Sequence, residues 1–592
     1  MKDSIEKLSK LLNKKEKGKF VLLLFLMLLA ALLETMGIGL IVPFVSIVTN
    51  PELIHKQQFL SYIYVLFNFK SENEFILLSV GTLLLVFIIK NIYLVLFNYL
   101  QNKIILNQQV KLSRELFKAY LTKPYKFHLE RNSADLYRNV TGEVSKVYQG
   151  IIMSSFQLLT EILVITCILG LIFTTAPTAT LAACIILGGS IILFFRIFRK
   201  KINELGQEQQ MVSAMMIKWV NQGLGASKEI KVNGKEKYFI SAYTKQSQIS
   251  INNNVYMRLL DIIPRYTIET ILVSTVLIMM LIIIHQGKNA GELVSTMALF
   301  AMAAFRLMPS ISRVIGLITS IRYSKPGLDI VYQDLFLIKG DLDDNKDVDV
   351  PLFEPLNVKT RYFNDSIELK DVSFRYPNQK DWSIKDISLK IPIGQSVAFI
   401  GESGAGKTTV VDIILGLFSP EKGNILVDGK KLIEEKINWQ KKIGYIPQSI
   451  FLSDDTIRSN VAFGIDGDLI DDKEVWRALE QAKLKEFVEG LPQKLDTSVG
   501  ERGVRLSGGQ RQRIGIARAL YHNPEILVMD EATSALDSDT ERQIMSAIDS
   551  LKGDKTLIII AHRLSTIENC DIVYKINKGK LVSLNKKLER SS

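Results

Sequence analysis

The chain has 592 residues, more than a single ordinary hydrophobic core holds. It is 47% hydrophobic yet 23% charged, with a mean hydropathy of +0.17, which points to a membrane half joined to a water-soluble half. The net charge of +12 admits nucleic acid, but no basic, aromatic-interleaved motif accompanies it. Lys and Arg collecting in cytoplasmic loops account for it better, so no nucleic-acid partner is expected.

The first segment, Met1 to Lys19, is charged and helix-prone. The apolar run after it is long and has no small-residue cleavage site, so it reads as a membrane helix and not as a removable signal. Apolar stretches of roughly 20 residues predict six spans near 20–48, 75–105, 150–174, 178–199, 265–286 and 291–320. Between the first two, residues 51–67 are open between a short amphipathic helix at the outer surface and an ordinary folded loop. Met1 to Lys19, 106–148 and 200–262 are long and rich in Lys and Arg, whereas the connections at 174–178 and 285–289 are short and carry little charge. The positive-inside rule therefore puts the N-terminus in the cytosol, and an even number of spans returns the C-terminal half there. The cysteines, Cys167, Cys184 and Cys570, stand far apart in no ligand spacing, against a disulfide framework or a zinc site.

Four basic residues fall within the spans: Lys90, Arg265, Arg306 and Arg313. At about 1.5 Å per residue, Lys90 and Arg306 lie roughly 22 Å from the outer surface, and Arg265 and Arg313 about 30 Å. Arg306 and Arg313 are seven residues apart and so share nearly one helix face. Glu34 in the first span can pair with one of the four and lock two helices. The rest either snorkel to the headgroups or line a wet cavity for an anion.

Membrane character stops near 320, and the acidic, proline-bearing DLDDNKDVDVP at 341–351 reads as linker. The expected division is a transmembrane domain at 1–335, a linker at 336–357 and an α/β domain at 358–592. GESGAGKT at 401–408 fits G-x-x-x-x-G-K-S/T, after the apolar strand SVAFI and before the helical TVVDIILGL. That is the context of a phosphate-binding loop: Gly401, Gly404 and Gly406 let backbone N–H groups wrap phosphates, and Ser403 and Thr409 flank them. Lys407 would reach the β- and γ-phosphates, and Thr408 would ligate Mg2+. ILVMDE at 526–531 is a buried strand ending in two acids, Asp530 for the Mg2+ shell and Glu531 as general base on the attacking water. Such a pair can also be a strand end with solvated acids, but LSGGQ at 506–510 speaks against that.

LSGGQ beside a phosphate loop and an acidic strand end is the signature of ATP-binding cassette transporters. The chain resembles an ABC exporter half-transporter, an all-α domain of six transmembrane helices fused to one α/β P-loop nucleotide-binding domain. By this resemblance Tyr376 in FRYP stacks on adenine, and Gln448 in YIPQ senses Mg2+ and the membrane domain. Ser507, Gly508 and Gly509, with Gln510, contact the γ-phosphate of ATP held by the other subunit. Asp537 in SALD is the D-loop aspartate, His562 in IIAHR the switch histidine, and ERG at 501–503 a contact with coupling helices. The resemblance implies ATP and Mg2+ as cofactors and a homodimer, since one phosphate loop and one signature cannot close a shared site. Coupling helices are expected near 132–138 and 221–229.

In the membrane half, ETMGIGLIVPF at 34–44, RLMPSISR at 306–313 and LDIVYQ at 328–333 resemble the lipid-linked oligosaccharide flippases of bacterial protein N-glycosylation, the PglK type. That group carries an outer helix associated with the polyprenyl tail, which 51–67 would match. The resemblance implies a multi-pass protein of the bacterial cytoplasmic membrane, both termini cytosolic, flipping a polyprenyl-diphosphate glycan. Arginine forks suit a diphosphate, making Lys90, Arg265, Arg306 and Arg313 the substrate candidates. The alternatives are an exporter of peptides, drugs or lipid A, and a non-transporting ABC scaffold, which would not need Glu531 and His562.

Overall fold

The computed structural model describes residues 2–11, 13–49, 51–175, 177–285, 290–340, 363–432, 436–531, 538–561, 567 and 569–586. The chain forms two compact units, Met1–Lys123 with Arg131–Asp349, and Pro124–Glu130 with Val350–Ser592.

The first unit is helical: α1 (Lys2–Leu11), α2 (Lys14–Thr49), α3 (Leu53–Lys56), α4 (Gln58–Leu66), α5 (Glu72–Thr122), then, past α6 of the second unit (Tyr125–Glu130), α7 (Ser133–Arg138), α8 (Ser154–Thr175), α9 (Pro177–Gly225), α10 (Ser227–Asn233), α11 (Glu236–His285) and α12 (Ala290–Gly340). The expected spans fall within α2, α5, α8, α9, α11 and α12, with the third beginning in the π-helix ahead of α8 and the fifth running one residue past α11. Their outward faces carry exposed apolar side chains such as Phe25, Leu77, Val95, Ile185 and Ile192, each at least 70% exposed, an arrangement stable only against lipid.

The long helices outrun the spans. At about 1.5 Å per residue, α5 and α12, of 51 residues each, reach more than twice the thickness of a bilayer core of about 30 Å. The polar half of α5 has no glycine or proline to stop it, and Ile105, Gln108, Leu112, Leu116 and Tyr120 recur at helical spacing as a buried stripe. Ser71 starts α5 by accepting from the Glu74 N–H. Ahead of α8 the chain is wound as π-helix over Asn139–Glu143 and Lys146–Met153.

Residues 51–67 settle as helix: α3 and α4 pack Leu60, Ile63 and Tyr64 over Ile47, Ile54 and Phe75. The expected coupling segment at 132–138 is corrected. It is α7, capped by Asn132 and folded within the first unit, where Arg138 donates to the Gln210 carbonyl at 3.4 Å. The segment that folds with the cassette is α6, whose Tyr125 ring lies 5.7 Å from that of Phe418. Residues 221–229 cover the break between α9 and α10. The expected linker, 336–357, is helical through Gly340, and 341–357 lies outside the described residues.

The second unit holds β1 (Ser366–Phe374), β2 (Ile384–Pro392), β3 (Ser396–Ile400), β4 (Lys422–Val427), β5 (Lys430–Lys431), β6 (Ile443–Ile446), β7 (Ile526–Asp530), β8 (Thr556–Ile560), β9 (Ile572–Asn577) and β10 (Lys580–Lys586). Its helices are α13 (Lys407–Ile414), α14 (Lys436–Lys441), α15 (Ile457–Val461), α16 (Asp472–Gln481), α17 (Lys485–Glu489), α18 (Gly508–Tyr521) and α19 (Ser538–Asp549). One sheet is antiparallel in the order β2-β1-β4-β5. The other, β10-β9-β3-β8-β7-β6, is parallel except at its β10 edge. Its inner strands are apolar on both faces, as parallel strands covered on both sides must be. Leu527, Met529, Leu557 and Ile559 enter one core, and Ile526, Val528, Ile558 and Ile560 the other.

Candidate functional site

The phosphate loop runs from the end of β3 into α13. Gly401, Gly404 and Gly406 all have positive φ, at 150°, 79° and 103°. At Gly401 a Cβ would stand 2.1 Å from the Ile576 carbonyl oxygen, so no other residue lets the loop turn there. Lys407 opens α13 and folds back, its Nζ donating to the Gly401 and Glu402 carbonyls, both at 2.9 Å. Ser403, Gly404 and Thr408 are exposed at the loop's mouth, while Thr409 turns inward. There its hydroxyl meets that of Tyr376 at 3.1 Å. Tyr376 packs edge-on to Phe374 and Phe418, at 5.4 and 5.5 Å, which fixes its ring beside the phosphate loop.

The acids stand at the end of β7. Pairing of β6 with β7 sets Ile446 opposite Met529. Two residues further on, Gln448 therefore reaches Glu531, and its side-chain amide donates to Oε2 at 2.8 Å. Glu531 takes a left-handed backbone, φ 46°, costly outside glycine and common where a site over-determines its geometry. Asp530 is buried. On α13, burial and then the field of the Asp530 carboxylate push the Asp412 carboxyl up to about 6. That is surplus negative charge where Thr408, Gln448 and Asp530 offer hard oxygen donors, so the residues fit Mg2+.

The signature begins α18. Ser507 and Gln510 form a capping box, Gln510 N–H donating to Ser507 Oγ at 3.2 Å and Ser507 N–H to Gln510 Oε1 at 2.8 Å. Gly508, exposed, and Gly509, half-buried, form the first turn, a helix N-terminus suited to an anion. The spacing S-x-x-Q is itself a capping-box pattern, a role these residues carry beside the nucleotide contact expected of them. At the other end of α18, Arg518 was missed. Its guanidinium donates to the Phe451 and Asn460 carbonyls, both at 2.8 Å, and to Asn460 Oδ1 at 3.1 Å, and lies over the Phe463 ring. Burial lowers it to about 10. It joins the signature helix to the segment that follows Gln448. Asp537 and His562 lie outside the described residues.

The basic residues of the membrane unit fare differently from one another. Arg313 is paired: Nε meets Glu161 Oε1 at 2.5 Å and Nη2 meets Oε2 at 3.2 Å. Glu161 was overlooked, although an acid in the apolar LLTEILVITC is the same signal that singled out Lys90. Lys90 lies along Gly37 and over the Phe87 ring at 4.5 Å. Neither Lys90 nor Arg265 has a carboxylate partner among the described residues. Asp261 packs against Gly316, so one turn further along α11 the exposed Arg265 reaches the level of Arg313 on antiparallel α12. Arg306 lies in α12, and its side chain is outside the described residues.

Two family models match the chain, that of the ABC transporter at residues 384–534 and that of the ABC transporter transmembrane region at 20–307. The ATP-dependent lipid A-core flippase of Saccharophagus degradans is 31% identical over 500 residues, covering 82% of this chain and 80% of its own. That of Ralstonia nicotianae is 30% identical, covering 81% and 79%. Among solved structures, a bacterial Atm1-family ABC exporter with ATP bound superposes with a TM-score of 0.74 at 22% identity, over 96% of this chain and 95% of that one.

Proposed function

The chain belongs to the ABC transporters, which hydrolyse ATP to drive translocation, and from that premise we propose that it flips a polyprenyl-diphosphate-linked oligosaccharide across the bacterial cytoplasmic membrane. The observation that carries this reading is the set of basic side chains in the membrane unit. Lys90 and Arg265 have no carboxylate partner among the described residues, and Arg265 stands level with Arg313. Unpaired cations in such a segment are costly unless water or an anion meets them. A lipid diphosphate brings dense negative charge to the headgroup level and keeps its tail in hydrocarbon. The helices α3 and α4 support the reading, since Tyr62, Val65, Leu66 and Phe67 offer an exposed apolar face at the outer surface.

A flippase of lipid A type is the second reading. The curated relatives carry that function, and lipid A also has phosphates on an apolar body.

Lys407 and the phosphate loop hold the nucleotide phosphates, with Thr408, Gln448 and Asp530 around Mg2+, which would neutralise charge on the phosphates. Glu531 takes the proton of the attacking water, His562 orients it, and Tyr376 stacks on the base. The Gly508–Gly509 turn meets nucleotide on a second copy, so the working form is a homodimer, with Asp537 at the shared boundary. Both termini are cytosolic.

The test is Arg306→Ala in proteoliposomes carrying either a polyprenyl-diphosphate glycan or lipid A. Flipping should fall at least tenfold for the glycan lipid, with ATPase measured in the absence of that lipid unchanged. Flipping that survives takes Arg306 off the route, and flipping of lipid A alone transfers the assignment to the second reading.

A further inference from the structure

The helices α8 and α12 meet along a seam whose contacts keep step. Glu161 faces Arg313, Ser154 Oγ reaches Ser320 Oγ at 3.4 Å, and Ser320 Oγ reaches the Gly150 carbonyl, also at 3.4 Å. At about 1.5 Å per residue, the eleven positions from Glu161 to Gly150 cover about 17 Å. Below the ion pair the polar contacts of the seam join small residues, Ser154, Ser320 and Gly150. Its hydroxyl bonds are long, and the chain from Lys146 to Met153 is π-wound, a register with a ready alternative in α-helix. The bidentate Glu161–Arg313 contact at the membrane end is the strongest specific tie in the seam.

The tie is lopsided. The Glu161 side chain is 14% exposed, whereas that of Arg313 is 46% exposed. Buried Ser310 stands behind the guanidinium, 3.4 Å from Nη2. Glu161 uses both oxygens on Arg313, but a guanidinium has five N–H donors, and the exposed edge leaves some of them for a second anion. A phosphate group carries more charge and more acceptor oxygens than one carboxylate, which equips it to compete with Glu161 for the fork.

We propose that Glu161 is a resident stand-in for the transported lipid's phosphate, and that the lipid headgroup loads by taking Arg313 from it, which unclasps α8 from α12. The inference rests on the lipid-phosphate reading above and adds to it a residue, Glu161, and a way for the transport site to register occupancy. Without lipid the clasp is closed. With lipid the released Glu161 faces a phosphate of like charge and moves off. Opening the seam is thereby linked to loading, because the headgroup binds the open form better than the closed one. An uncharged amphiphile has nothing with which to displace the carboxylate.

The experiment measures ATPase of the full chain in nanodiscs against added undecaprenyl diphosphate. Lipid A is the second lipid phosphate, inorganic pyrophosphate the tail-less control, and phosphatidylglycerol at equal charge the control for bulk headgroups. In the wild type, one lipid phosphate should stimulate and the two controls should not. Glu161→Gln should raise basal ATPase two- to fivefold and lower the half-stimulating lipid concentration about tenfold. The double variant Glu161→Arg with Arg313→Glu rebuilds the pair with its charges exchanged, so it should keep the wild-type melting temperature yet lose stimulation. A swapped variant stimulated like the wild type would make the pair a structural tie only and overturn the proposal. Equal stimulation by phosphatidylglycerol overturns it too, by reducing Arg313 to an anchor in ordinary headgroups. A wild type that answers neither lipid phosphate removes the underlying reading, a result distinct from a responsive wild type with a responsive swap.

Discussion

Replacing Arg518 with methionine tests whether the signature helix and the segment after Gln448 are one mechanical piece. The guanidinium makes three hydrogen bonds, to the Phe451 carbonyl, the Asn460 carbonyl and Asn460 Oδ1. Bonds from a charged donor contribute about 1.5–3 kcal/mol each. Against them stands the cost of burying the charge, which lowers Arg518 to about 10 and amounts to roughly 2 kcal/mol after solvent screening. Methionine keeps the packing on Phe463, and Asn460 Oδ1 keeps the Ser453 N–H and hydroxyl as donors. Two carbonyls lose their partner. Three such bonds less the burial cost leave a net loss of about 2.5–7 kcal/mol. Denaturant unfolding of the full chain in micelles reads it through Trp382, Trp439 and Trp476, which lie in the cassette. In the native variant, ATPase should retain its KM and lose kcat, because the nucleotide still binds while the signature is set loosely. An unfolding midpoint within about 0.5 kcal/mol of wild type, or an unchanged kcat, would refute the reasoning.

Two further substitutions probe the phosphate site. Gly401→Ala places a Cβ 2.1 Å from the Ile576 carbonyl at a φ of 150°, so binding of a fluorescent ATP analogue should be lost, and near-wild-type affinity would show that the loop does not need this turn. Asp412→Asn should stabilise the chain at pH 7.5 by about 1–2 kcal/mol after screening. Its folded value, about 6, lies above the ordinary 3.8, so the folded state holds the proton more tightly and wild-type stability falls as pH rises between those values. The advantage of the variant should vanish below pH 4, and a variant destabilised at pH 7.5 would contradict the assignment.

Motifs with a fixed chemical purpose were legible in the sequence. The phosphate loop, the acidic strand end and the signature each sit where strand and helix patterns put them, and the six apolar runs all became helix. Length was not legible from hydropathy, because the polar extensions of α5 and α12 are held by amphipathic stripes and not by apolar runs. Pairings across the fold were not legible either. Glu161 meets Arg313 from 152 residues away, and Gln448 meets Glu531 only because β6 lies beside β7. The misplaced coupling segment has the same origin. Both 125–130 and 133–138 are short helices, and sequence alone does not tell which one folds with the cassette.

The most direct test of the central claim is flipping itself. A polyprenyl-diphosphate oligosaccharide is loaded into proteoliposomes, and loss of glycan from one leaflet is followed on adding ATP, with Glu531→Gln as control. ATP-dependent loss in the wild type and none in the control is the predicted result. No loss in the wild type, with ATPase intact, would contradict the lipid-linked glycan as substrate.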